Sequence, residues 1–264
     1  MLNFDDIDDW APKLGAALKQ DVPSVIGTEL VAAAPEYLED AQDLLFKFAD
    51  RDAVIDATLN WIRSTHVVGY HGSRLTDAEI ASVRTIGLIP LKAETRRTRL
   101  IRALSPHPEW HVVQGRLDAI IQAHSHGAVL GVREGQVHLT LSKEGLTSDF
   151  NHYLRYGAEF DQHVADALLG PDAKQLLAQD GEPRVIQVAV PGAIALKAAH
   201  PYFGVDDLRK QGDVPNLVKE FLKAWTYRLA HPGFEPRTLQ IDCGMMFHSP
   251  VPAAWIVMID AWTP

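Results

Sequence analysis

The sequence predicts an α+β fold, and three features predict it. The first 65 residues carry helical periodicity; from "THVVGYHG" onward, short apolar runs with β-branched residues are punctuated by Gly and Pro; and the later strands do not alternate regularly with helices, as a doubly wound parallel sheet requires. With 264 residues, 47% of them hydrophobic, the chain can fill a sizeable core. A net charge of -9 argues against a general affinity for polyanions, which needs clustered Lys and Arg. The single cysteine, Cys243, excludes an intrachain disulfide framework and a cysteine-rich zinc site. No apolar stretch is long enough to span a bilayer, and the start "MLNFDDIDDW" is acidic where a signal peptide is basic, so a soluble, cytoplasmic protein without membrane association is expected. No repeat or low-complexity tract is present.

The elements follow in order. Between Pro35 and Arg63, Leu38, Ala41, Leu44, Leu45 and Phe48, then Val54, Ile55, Leu59 and Ile62, recur at spacings of three and four, which is a helical pattern. Residues 1–65 therefore form a helical N-terminal extension, and residues 66–264 form the second domain. Val67 and Val68 open a strand that runs into "GYHGS". Thr76 and Glu79 then form a capping box for a helix over 77–86 whose Ile80, Val83 and Ile86 face inward, and Gly87 stops it. Further strands are expected at 136–142, 184–190, 238–247 and 254–262. One helix is expected in "SDFNHYLRYGAEFDQHVADALLG", capped by Ser148 or Asp149, and another in "PNLVKEFLKAWTYRLAHP", ended by Pro232.

At the end of the first strand, His71 offers a ring nitrogen, Ser73 a hydroxyl, and Gly72 a backbone that a ligand can approach without meeting a Cβ. Tyr-His-Gly-Ser, a helix carrying Ile80 and Ile86, and then Gly87-Leu88 resemble the first motif of the ADP-ribosyltransferase superfamily, which includes diphtheria-toxin-like enzymes and the poly(ADP-ribose) polymerases. "GQVHLTLSKEGLTSDFNHYLRYGAEF" (135–160) resembles the second, a strand followed by a helix with a tyrosine, and its "VHLT" looks like the RNA 2′-phosphotransferase branch. "MMFHSPVPAAWI" resembles the last strands of that branch. Residues 1–65 and about 193–235 resemble nothing we can name.

The resemblance implies a split β-sandwich around an NAD cleft, and transfer of ADP-ribose from NAD to a protein or nucleic-acid acceptor with release of nicotinamide. NAD is then a substrate, and no metal is required. Breaking the bond between nicotinamide and ribose passes through an oxocarbenium-like state, so the site has to hold the sugar and stabilise positive charge. By resemblance, the NAD grip comprises Tyr70, His71, Gly72, Ser73 and Arg74; His71 holds a ribose hydroxyl, Gly72 backbone groups take the nicotinamide amide, and Tyr153 or Tyr156, with Tyr153 preferred, stacks on the nicotinamide ring. Transferases of the superfamily usually carry a glutamate on the last strand. This chain has none after Glu235, and the matching strand offers Gln240, Asp242 and His248 instead. Asp242 or Glu159 of "YGAEFDQ" is the candidate replacement, and His138 of "VHLT" completes the charge environment. Two alternatives follow. RNA 2′-phosphotransferases use NAD with His and Arg, although their Gly-x-Arg is here Gly157-Ala158-Glu159 and their basic N-terminal lobe is here acidic. A non-catalytic nucleotide- or partner-binding module on the same fold is the other.

Two further patterns bear on partners. "KAETRRTRLIRAL" places Arg96, Arg97, Arg99 and Arg102 just after the first motif, either as a phosphate or nucleic-acid contact or as the solvated face of an amphipathic helix. His107, His111, His124 and His126 lack the spacing of a metal site. Neither a Gly-x-Ser-x-Gly nor a P-loop occurs.

Overall fold

The computed structural model describes residues 1–128, 134–148, 151–200, 202–236 and 243–263. Helices α1 (Ile7–Ala17), α2 (Ile26–Ala33), α3 (Leu38–Phe48) and α4 (Arg51–Arg63) precede β1 (His66–Leu75), α5 (Asp77–Ile86), β2 (Gly87–Leu88), α6 (Ala93–Leu104), α7 (Trp110–Val113) and α8 (Leu117–His124). Next come β3 (Val137–Thr140), α9 (Lys143–Ser148), α10 (His152–Tyr156), α11 (Glu159–Leu169), α12 (Lys174–Leu177), β4 (Glu182–Pro191) and α13 (Gly192–Ala198). The chain continues through α14 (Val205–Lys210), α15 (Asn216–Ala230), β5 (Gly244–Phe247), β6 (Val251–Pro252) and β7 (Ile256–Ala261). The larger sheet has the order β5-β3-β1-β4-β7, and β2 pairs with β6 in a second. β7 runs antiparallel to β4, with Arg184 opposite Ala261 and Ile186 opposite Ile259. The fold is therefore α+β. Among the described residues no helix is long and apolar enough to cross a membrane.

The chain divides into two compact units. One contains Met1–Gly69, Leu139–Gly145 and Ala189–Met246. Residues 1–65 are helical, but they do not stand apart as an extension: α1 to α4 pack with α15. The reason lies in α15, which buries a broad apolar face of Leu217, Val218, Phe221, Leu222, Ala224 and Trp225 and, beside it, Lys223 and Thr226. Phe221 meets Phe4, Trp10 and Trp61 edge-on at 4.9–5.5 Å between ring centroids. Trp10 stays buried because its indole N–H donates to the Phe4 carbonyl at 3.0 Å.

The other unit contains Tyr70–His138, Leu146–Val188 and Phe247–Pro264. Its apolar cluster joins α6, α8, α11 and α12 through Leu100, Leu104, Leu117, Phe160, Val164 and Leu177. The capping box of α5 forms as the sequence predicts: Thr76 Oγ1 accepts from the Glu79 N–H, and the Glu79 carboxylate accepts from the Thr76 N–H at 2.7 Å. Val83 is buried, but Ile86, expected to face inward, is 56% exposed, because α5 ends there and the chain turns into β2. The single helix expected over 148–169 is two helices, broken at Gly157. Of the strand expected at 238–247, Gly244–Phe247 forms β5, and residues 237–242 lie outside the described residues, as does Asp149.

Gly87 stops α5 with φ 99° and ψ -164°, a region open essentially to glycine alone, and a Cβ there would lie 2.0 Å from the Val251 carbonyl oxygen of the paired β6. Gly87→Ala is expected to cost at least about 3 kcal/mol, read as a lowered urea midpoint, because backbone strain and a backbone clash coincide.

Candidate functional site

A cleft of about 510 Å³ lies within the second unit. Four stretches form part of its wall: β1 contributes His71, Gly72, Ser73 and Leu75; Gln136, Val137 and His138 come from the start of β3; Tyr153 projects from α10; and Ala158, Glu159 and Phe160 begin α11. The remaining wall runs from α5 through β2 into α6 and includes Glu79, Ile89, Lys92, Arg96 and Arg99.

The alternation of β1 sorts its candidates. His71 and Ser73 line the cleft, whereas Tyr70 is buried at 4% exposure and does not. Arg74 is also turned away. Its guanidinium donates to the carbonyls of Leu154 and Arg155 at the end of α10 and to those of Asp180 and Gly181, so it ties α10 to β1. Gly72 lines the cleft with its backbone, but its missing Cβ serves packing: one placed there would lie 2.9 Å from Leu146 Cδ1 and 3.2 Å from Leu154 Cδ2.

His71 Nδ1 lies 2.8 Å from the His138 carbonyl. A carbonyl only accepts, so Nδ1 carries the hydrogen and the neutral ring keeps Nε2 as an acceptor. Burial pushes the His71 pKa below its ordinary value, against the opposing pull of that hydrogen bond, which favours the neutral form. His138 Nε2 is 2.8 Å from Gln136 Oε1 and donates to it.

Of the two tyrosine candidates, Tyr153 lines the cleft and Tyr156 does not; Tyr156 bonds Gln175 at 3.3 Å and carries Lys174 over its ring. The Tyr153 hydroxyl donates to Glu159 Oε1 at 2.6 Å, and His152 Nε2 lies 3.2 Å from the same oxygen. The break at Gly157 makes this possible. In an unbroken helix, residues six and seven apart are separated by about 9 and about 10.5 Å of rise, whereas the turn at Gly157, with φ 81° and ψ -153°, folds the start of α11 back onto α10. Gln240 and Asp242 lie outside the described residues, and His248 is exposed beyond the end of β5.

The arginines of α6 are engaged with carboxylates. Arg96 holds Asp161 through two nitrogens, Arg97 pairs with Asp118 at 2.7 Å on the surface, and Arg102 forks onto Asp180 at 2.5 and 2.8 Å. Arg99, 7% exposed, donates to Glu79 Oε1 at 2.8 Å and to the Arg74 carbonyl at 2.9 Å, with Nε 3.2 Å from Asp180 Oδ2. Burial alone raises the Glu79 pKa, but the Thr76 N–H and the charge of Arg99 outweigh it and hold the carboxyl below its ordinary value. Among the described residues no group of three or more His, Cys, Asp or Glu is placed to hold a metal ion. His107 Nδ1 accepts from the Glu109 N–H, and Nδ1 of His111 and His124 is bonded to the Pro108 and Ile120 carbonyls.

Sequence reasoning passed over Gln136, Glu79 as a cleft residue, and His152. Only His152 carried a usable signal, its position beside Tyr153 with a glycine between the pair and Glu159. Comparison of the chain with protein-family models, curated proteins and solved structures finds no significant match.

Two outcomes are expected. Gly157→Ala, forced into a glycine-only backbone region, should cost about 1–3 kcal/mol of stability in urea unfolding. His71 should make stability pH-dependent. Its folded pKa is lowered, so its contribution is fully present above the unfolded value of about 6.5 and is lost as pH falls from there through the lowered folded value. Urea midpoints measured from about pH 7.5 down to 5 should fall, and by less in His71→Gln.

Proposed function

We propose that the cleft binds NAD and transfers its ADP-ribose to a protein acceptor, releasing nicotinamide, on an ADP-ribosyltransferase-like split β-sandwich. One observation carries the reading: His71 of the first motif, His138 and Tyr153 of the second, and Glu159, nominated in place of the missing glutamate, line a single cleft. A cleft of this size lies within the range that small-molecule and cofactor sites occupy.

His71 Nε2 accepts a hydrogen bond from a ribose hydroxyl, which its neutral tautomer suits. The Gly72 backbone takes the nicotinamide amide, and the Tyr153 ring stacks on the nicotinamide. As the bond from the anomeric carbon to the nicotinamide nitrogen breaks, its electron pair leaves with the nicotinamide. Glu159 stands in for the missing last-strand glutamate and stabilises the positive charge that develops on the ribose. The acceptor's nucleophile then bonds the anomeric carbon and releases its proton to solvent.

The pairing of Arg96, Arg97, Arg99 and Arg102 with Asp161, Asp118, Glu79 and Asp180 supports a protein rather than a nucleic-acid acceptor, because guanidinium groups already neutralised offer little to a run of phosphates.

The test is nicotinamide release from NAD by the purified protein with cell lysate, untreated, nuclease-treated or protease-treated. Release should survive nuclease, fall after protease treatment, and drop by about 10–100-fold in His71→Ala, the loss of one buried hydrogen bond in the transition state. NAD binding without release under any condition would replace this reading with the binding module, and a cyclic phosphate formed from 2′-phosphorylated RNA would replace it with the RNA 2′-phosphotransferase.

A further inference from the structure

We infer that Lys92 holds the phosphates of the dinucleotide and so sets the affinity of the cleft for it; the inference deepens the proposed NAD chemistry and rests on it. The charges around the cleft point there. Apart from its histidines, the titratable charged side chains that line it among the described residues are Glu79, Lys92, Arg96, Arg99 and Glu159. Arg96 is taken up by Asp161, which is 1% exposed, and Arg99 by Glu79 and Asp180. Withdrawing either guanidinium would strip a buried carboxylate of its counter-charge, so neither is available to a ligand. Glu159 accepts from the Tyr153 hydroxyl. Lys92 differs: it is exposed, and among the described residues its ammonium has neither a hydrogen bond nor an ion pair.

Its position does nothing for the helix it precedes. Lys92 is the N-cap of α6, its side chain caps no backbone N–H, and it sets a cation at the positive end of the helix dipole. The Ala93 N–H is bonded instead to the Glu134 carboxylate, and the Gly135 N–H donates to the Leu91 carbonyl at 2.8 Å, so the backbone on both sides of Lys92 is tied to the stretch before β3. The outcome is a lysine anchored by its backbone with an unengaged head. It stands in the wall from α5 to α6, which supplies none of the groups assigned to the nicotinamide end, namely Gly72, Tyr153 and Glu159. An ammonium is a compact charge with three donors and suits a phosphate. The phosphates take no part in bond breaking at the anomeric carbon, so this contact is the same in ground and transition states and acts on KM rather than kcat.

The test is calorimetric titration of the full chain with ADP-ribose, which keeps the phosphates and lacks the nicotinamide. Lys92→Met, of similar length but uncharged, should weaken binding about three- to tenfold, Lys92→Glu at least about tenfold, and Lys92→Arg less than about threefold. The gap between wild type and Lys92→Met should narrow as salt is raised toward about 1 M. In nicotinamide-release assays Lys92→Met should raise the KM for NAD by the same factor with kcat within about twofold. The thermal midpoint should not fall, because α6 loses an unfavourable charge, and if Lys92→Met does not fold, Lys92→Gln takes its place. ADP-ribose binding as tight in Lys92→Met as in wild type, a loss that Lys92→Arg does not restore, or one that salt does not diminish, overturns the inference while leaving the NAD reading in place. Failure of the wild type to bind either NAD or ADP-ribose overturns the NAD reading itself, and this inference with it.

Discussion

A single buried guanidinium holds the cleft-bearing unit in register. Arg99 reaches Glu79 in the capping box of α5, the carbonyl of Arg74 on β1, and Asp180 ahead of β4, and it lies 3.6 Å from Asp161 of α11. Charges taken out of water are tolerated only when their partners are also present, so Arg99, Glu79, Asp161 and Asp180 have to be assembled together. Arg96 and Arg102 complete the arrangement by saturating Asp161 and Asp180. The elements that wall the cleft are thus fixed to one another by directional bonds, which a purely apolar core does not impose.

The legibility of the sequence followed the range of each interaction. The α5 capping box was readable because Thr76 and Glu79 meet within a single turn, and the strands at 136–142, 184–190 and 254–262 because their apolar runs are local. The fate of the arginine strip was not. Arg96 finds Asp161 65 positions away, and Arg102 finds Asp180 78 positions away, pairings to which periodicity is blind. Gly157 was misjudged for a related reason: one glycine in a helical pattern costs only about 1 kcal/mol, and so does not announce a break. Tyr153 emerged as the cleft tyrosine, but the purpose of Gly72 did not, since the side chains its missing Cβ leaves room for, Leu146 and Leu154, come from distant helices.

The division of the chain cuts across its linear order. The cleft residues fall within one unit, and residues 1–65 and about 193–235 fall within the other. Each of those stretches supplies what the other lacks. α15 has a broad apolar face that has to be covered, while α1 to α4 need a partner for their apolar stripes.

This discontinuity has a consequence during synthesis. α1 to α4 leave the ribosome well before α15, and at about 5–20 residues per second the interval is roughly 10–30 s. Throughout that time Trp10, Leu14, Leu45 and Trp61 lack the helix that packs with theirs. The N-terminal helices of the nascent chain therefore expose these apolar side chains until α15 has been made. Their acidic residues, Asp6, Asp8, Asp9, Glu39, Asp40 and Asp43 among them, keep neighbouring nascent chains apart by charge repulsion until the closing helix arrives.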